Sequence, residues 1–218
     1  MRYPMLAALV LGLLSAASPS RAETPPGIVM GVAGETDPKL NTMQEIPANT
    51  SVTLPPGTQL TFLHYARCKL VTVSGGTVML NRADYRVDGK IESEKDGPCP
   101  RVYALGDGGD GRSTGGIVAR GVSTAPHWPV NPEFIFTGQR AGAITAAAIF
   151  ADGKLDKPVM SLTLTGRRTT KPADASRIIA DGHYVLRMTM RDVTQSVDVP
   201  FVATVSTDPT PLVVVRVD

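Results

Sequence analysis

Two cysteines, three histidines and one glycine-rich run are the features of this 218-residue chain whose types and spacing could support chemistry. Cys68 and Cys99 stand 31 positions apart, without the Cys-x-x-Cys spacing of a redox centre. A metal site would need ligands beyond two sulfurs, with histidine at suitable spacing. The pair therefore reads as one structural disulfide, which on a chain-entropy argument removes roughly 3–4 kcal/mol of unfolded-state freedom. The alternatives are two free thiols or a bridge to another molecule.

His64 and His183 fall inside strand patterns, where a histidine is more often a satisfied or half-exposed side chain than a catalyst. His127 adjoins Trp128 in a proline-bounded loop, the better setting for ligand contact. With Arg112 in the neighbouring glycine-rich stretch, His127 and Trp128 form the candidate contact for a ligand or partner. No Gly-x-Ser-x-Gly elbow, His-Glu-x-x-His pair or catalytic cysteine setting accompanies the histidines, so the chain reads as a non-enzyme with no cofactor. Aromatic residues make up 5% of the chain, and most are expected in cores; Trp128 reads as packing ahead of a sugar-stacking platform.

Residues 106–111, Gly-Asp-Gly-Gly-Asp-Gly, satisfy Gly-x-Gly-x-x-Gly after a strand-like segment. A dinucleotide site requires a helix to follow, so that its amino terminus faces the pyrophosphate. Arg-Ser-Thr-Gly-Gly at 112–116 is a poor helix start, and two aspartates repel phosphate. Calcium would find only one copy of the motif with two carboxylates, whereas repeat-type calcium turns stack several. With six glycines in 106–116 and no anchoring apolar side chain, this stretch reads as a linker.

The compartment follows from the first 22 residues. Arg2 supplies a short basic start, an apolar run covers 5–17, and Ser20-Arg21-Ala22 supplies the small residues around a cut, so cleavage is expected after Ala22. The run is short for a membrane span, which needs about 20 apolar residues, and no later segment has that length. A lipoprotein cysteine is missing at the cut, so the expected product is untethered and periplasmic or secreted. Arg2 and Arg21 are the only charged residues lost, so 20 of the 22 basic side chains remain against 20 acidic ones. A formally neutral surface has no long-range attraction for nucleic acid or anionic lipid.

Strand signals dominate the remainder, predicting an all-β chain of two small domains. An N-terminal β-module is expected over 28–105, holding the disulfide, then a linker over 106–127 and a C-terminal sandwich over 128–218. In the first module, 28–31 is an expected edge strand, and Val52 and Leu54 alternate before the Pro55-Pro56-Gly57 break. Leu60, Phe62 and His64 share one face of the next strand. Ser74-Gly75-Gly76 predicts a hairpin between 71–73 and 77–80, and Asp88-Gly89 another turn. Six strands are expected in the second domain: 134–136, 144–150, 159–164, 183–191, 196–205 and 212–217. Tyr184, Leu186, Met188 and Met190 share a face there, as do Val197, Val199 and Phe201. A helix could occupy 173–180 at most, and 141–151 is the one segment where strand and helix compete.

Asp181-Gly182-His183-Tyr184-Val185-Leu186 resembles the turn and strand of immunoglobulin-like and fibronectin-like sandwiches. That resemblance implies a tyrosine packed inward with its hydroxyl on a nearby backbone group. Leu54-Pro55-Pro56-Gly57-Thr58-Gln59-Leu60, followed by Val71-Thr72-Val73-Ser74-Gly75-Gly76, resembles the FecR-like β-domains of bacterial envelope proteins. That family's signalling members sit behind a transmembrane helix, which this chain lacks, so signalling does not carry over. The expectation is an exported, non-catalytic envelope protein that serves as an interaction or assembly module for another envelope protein. A carbohydrate or small-ligand binding module, with a glycan as ligand, is the first alternative and a hydrolase with an unrecognised site the second.

Overall fold

The computed structural model describes residues 25–105, 125–170, 178–191, 196–207 and 211–218, and the protein is all-β with a single 3₁₀ turn, Ala141–Ala143, among them. The expected leader, 1–22, and most of the expected linker, including Arg112 and the glycine run, lie outside the described residues.

The first sheet contains β1 (Gly27–Ala33), β2 (Glu45–Ile46), β3 (Thr50–His64), β4 (Lys69–Leu80) and β5 (Tyr85–Asp96). They are ordered β2-β1-β3-β4-β5, all antiparallel. β1 is thus an interior strand and not the expected edge. The three turn signals also behave differently from the prediction, because none reverses the chain. Pro55-Pro56-Gly57 lies within β3, Gly75-Gly76 within β4 and Gly89 within β5. The real reversals are at 65–68 and 81–84.

The three irregularities lie side by side. Leu54 pairs with Gly76 and the next β3–β4 pair is Gln59 with Ser74; on the far side Ser74 pairs with Lys90 and Thr77 with Asp88. The prolines, which have no N–H to give a ladder, occupy the gap in the β3 register. Gly76 has φ +78°, and a Cβ there would lie 1.7 Å from the Asp88 carbonyl oxygen. A Cβ on Gly89 would lie 2.1 Å from the Gly75 oxygen. The strands therefore bend along one line, and the sheet closes on itself. Val52, Leu54, Val78 and Leu80 from one side of that line meet Leu60, Phe62, Val71 and Val73 from the other in a single buried cluster.

Cys68 and Cys99 form the expected disulfide, with Cα atoms 4.7 Å apart. It joins the β3–β4 reversal to the segment entering β6 (Arg101–Leu105). β6 was expected within the N-terminal module, but it pairs in parallel with the last strand, β14 (Leu212–Val217), in the second sheet. Leu212, Val213, Val214 and Val215 of β14 are buried in succession, so the strand is covered on both faces, which is what a parallel neighbour requires.

Between β6 and β14 come β7 (His127–Pro129), β8 (Glu133–Thr137), β9 (Ile144–Ala151), β10 (Met160–Thr165), β11 (Arg168–Thr170), β12 (His183–Met190) and β13 (Val197–Thr204). The order is β6-β14-β8-β11-β10-β9-β12-β13-β7. β10 serves both halves, since Met160–Leu162 pair with β9 and Thr163–Thr165 with β11. The sheet folds over there into two layers whose ends meet: Tyr103 of β6 stands edge-on to Trp128 of β7 at 5.6 Å, and Arg101 donates to the His127 carbonyl. The disputed segment 141–151 resolves into the 3₁₀ turn and β9. Of 173–180, the described part, 178–180, is not helical.

The face predicted for β12 is the buried one: Tyr184, Leu186, Met188 and Met190 all enter the core. The Tyr184 hydroxyl accepts the Ile179 N–H at 2.8 Å, as the sandwich resemblance implied. Gly182 makes room for that ring, since a Cβ there would lie 2.6 Å from it.

The two sheets are not independent. Leu63, on the opposite face of β3 from Phe62, packs with Ile28 against Ile135, Leu212 and Val214 of the second sheet. This explains why the end of β3 is apolar on both faces. The aligned bend predicts a sharp contrast between two glycines. Gly76→Ala, strained and in collision with backbone, should cost more than about 2 kcal/mol, whereas Gly57→Ala, at φ +83° in open space, should cost about 1 kcal/mol. Urea unfolding of the two variants checks the ranking; equal losses would mean that the bend does not depend on close approach at Gly76.

Candidate functional site

The histidines do not converge. His64 is fully buried: Nδ1 accepts the Arg67 N–H at 3.2 Å and Nε2 lies 2.9 Å from the Asn81 carbonyl. With Nδ1 accepting, the proton belongs on Nε2, which donates to Asn81, and both nitrogens are occupied by structure. His127 and His183 are exposed, and both pair with Val202, one on each side of β13. Two strand spacings, on the order of 10 Å, separate their backbones. Among the described residues no group of three His, Cys, Asp or Glu side chains is placed to hold a metal ion.

Trp128 must be corrected as a contact residue. It is 1% exposed, enclosed by Tyr103, Phe134 and Phe201, with the last ring 4.7 Å away. No face is left for a ligand, so truncating it would report loss of core packing. Its burial follows from β7 joining β13, which turns the ring inward. Of the three proposed contacts, only His127 is at the surface among the described residues.

The polar groups that do come together lie between the sheets. Glu45 of β2 has a side chain 9% exposed and faces Arg216 of β14, whose Nε is 3.9 Å away. That nitrogen also stands 2.7 Å from an Asp218 oxygen, in ion-pair contact without the alignment of a hydrogen bond. The Tyr65 hydroxyl donates to Glu45 at 3.4 Å. Burial pushes the Glu45 carboxyl above its ordinary range, against the opposing pull of Arg216. Burial, with the Glu45 charge beside it, raises the Tyr65 hydroxyl well above its usual value.

Beside this cluster the two sheets leave a cleft of ≈ 860 Å³. One wall is the loop 41–44, which leads directly into Glu45. The other is Glu133 at the start of β8 together with the β10–β11 hairpin, including Thr165, Arg167, Arg168 and Thr170. The loop is shaped by its own side chains: Gln44 Oε1 accepts the Asn41 N–H at 3.0 Å, and Met43 adopts φ +63°. Arg168 is ion-paired with Glu133, which raises the guanidinium further. Comparisons with family models, curated proteins and solved structures find no match to this chain.

None of these cleft residues stands out in the sequence. Gly166 marks a turn, but the meeting of that turn with residues 41–44 depends on how the sheets dock. Glu45 carries a pH prediction. Because burial favours its neutral form, its contribution to stability is complete below the ordinary carboxylate range and is lost as pH rises through the raised folded value. Glu45→Gln should therefore be more stable than wild type at pH 7, by up to roughly 1 kcal/mol, and melt at a higher temperature, with the difference closing towards pH 4. Thermal melts over that range test it; a variant that is weaker at pH 7 would show that the Arg216 attraction outweighs desolvation.

Proposed function

We propose that this chain is an exported, non-catalytic cell-envelope protein, periplasmic or secreted, that serves as an interaction or assembly module for an envelope partner. In this reading a leader is removed after Ala22, and the two sheets are two docked domains, one FecR-like and one immunoglobulin-like. The inward Tyr184 with its backbone hydrogen bond supports the second likeness.

The observation that carries the interaction reading is the cleft formed jointly by both sheets. The strand edges are less suited to a partner. β5 is the long outer strand of the first sheet, but it carries register irregularities, and its exposed second half bears Lys90, Glu92, Glu94, Lys95 and Asp96. Bulges and a row of charged side chains blunt an edge against strand addition. β2 is two residues long, and β6 and β7 face each other.

The cleft volume also falls in the range of small-ligand sites, which favours the glycan or small-ligand reading as the second choice. A photo-cross-linking residue replacing Thr170 should capture one envelope protein reproducibly, while the same residue replacing exposed Lys157, in the connection between β9 and β10, should not. Failure to capture any partner, combined with substrate turnover by the purified protein, would replace this reading with an enzyme; specific retention on a glycan array would replace it with a lectin-like module.

A further inference from the structure

Charge within the inter-sheet cleft is unbalanced. Arg167 and Arg168 line it, and Glu133 is its only carboxylate among the described residues. Glu133 is committed to Arg168, while Arg167 has no acidic partner among the described residues. The remaining 20 basic and 20 acidic side chains expected after leader removal balance over the whole chain, so this excess is local.

The backbone of Arg167 is also held in place. Thr165 pairs with Arg168, leaving Gly166 and Arg167 as a two-residue hairpin loop, with Gly166 at φ +61°. The Arg167 carbonyl accepts the Phe136 N–H at 2.8 Å, anchoring the loop to β8. Arg167 is half-buried as a residue, and its Nη2 lies 3.8 Å from where a Cβ on Gly142 would stand, so the side chain runs along the hairpin side of the cleft with no carboxylate among the described residues to meet it; a carboxylate supplies the planar, bidentate partner that suits a guanidinium best.

Around it the cleft offers neutral hydrogen-bonding groups. Thr42, Thr165 and Thr170 contribute hydroxyls, and Gln44 has its amide nitrogen left over after its oxygen holds Asn41. These suit the N–H and C=O groups of an extended chain. No aromatic ring lines the cleft among the described residues, so the flat stacking face on which sugar rings dock is missing.

We propose that the cleft is a receptor for an extended acidic peptide segment, with Arg167 holding one of its carboxylates. This rests on the interaction reading above and names the chemistry of the partner. The test is fluorescence anisotropy with a labelled Glu-Gly octapeptide, its Lys-Gly counterpart and an oligogalacturonate of matching charge, each added to the full protein. The acidic peptide should bind and the basic one should not. Arg167→Gln should weaken acidic-peptide binding about tenfold or more, and Arg167→Lys by less, with thermal melts unchanged. Binding should also fall between about 20 and about 200 mM salt.

Acidic-peptide binding that survives Arg167→Gln, or absence of binding by the wild type, overturns the proposal. Arg167-dependent binding of the oligogalacturonate without the peptide overturns it in favour of an acidic glycan. Capture of a protein through Thr170 with no acidic-peptide binding overturns the ligand class alone. Arg167-dependent peptide binding with no captured protein supports the ligand class and counts against the envelope partner.

Discussion

A β-sheet with one apolar face must cover it, and the first sheet of this protein does so with its own other half. The docking of the two sheets depends on that fold line. Because the bend turns Phe62 and Leu60 onto Val52 and Leu54, the outer face of β3 is left available, and there Leu63 reaches the second sheet. The second sheet meets the same requirement by folding at β10. Two self-covered sheets then need only a small apolar seam to be joined, with Ile28 and Leu63 on one side and Ile135, Leu212 and Val214 on the other.

The seam determines where polar chemistry can occur. Apolar contact ends at Glu45, Arg216 and Asp218, where two carboxylates share one guanidinium at partly reduced exposure to water. Past that point the surfaces diverge and leave the cleft. Rigid strands supply one side of it, and a short loop held by the Gln44 and Asn41 contact supplies the other. A site at such a junction has its walls positioned by two separate cores, so its shape depends on their docking.

Much of the strand pattern was legible in the residues. β14 has the predicted bounds, the alternation in β12 identified its buried face, and the cysteine pair was read correctly. Glycine signals were harder. Gly75 and Gly76 announce positive φ, but a reversing turn and a bend within a strand both use it; the choice depends on whether ladder hydrogen bonds continue, which neighbouring strands decide. β6 was misplaced for a related reason: proximity in sequence favoured the first sheet, while the apolar run of β14 offered the better partner. The cleft was invisible because its residues are ordinary polar side chains brought together by docking. Trp128 shows the converse, a residue whose loop context pointed outward and whose strand pairing turned it inward.

The disulfide has a mechanical meaning as well. Cys68 and Cys99 bracket β4 and β5, so a pull on the two ends of the polypeptide would travel along the covalent bridge and bypass the 31-residue span between them. While oxidised, the molecule keeps roughly 100 Å of contour length in reserve that tension cannot extract. Reduction would add that length to what the chain yields once the ladders of β4 and β5 give way.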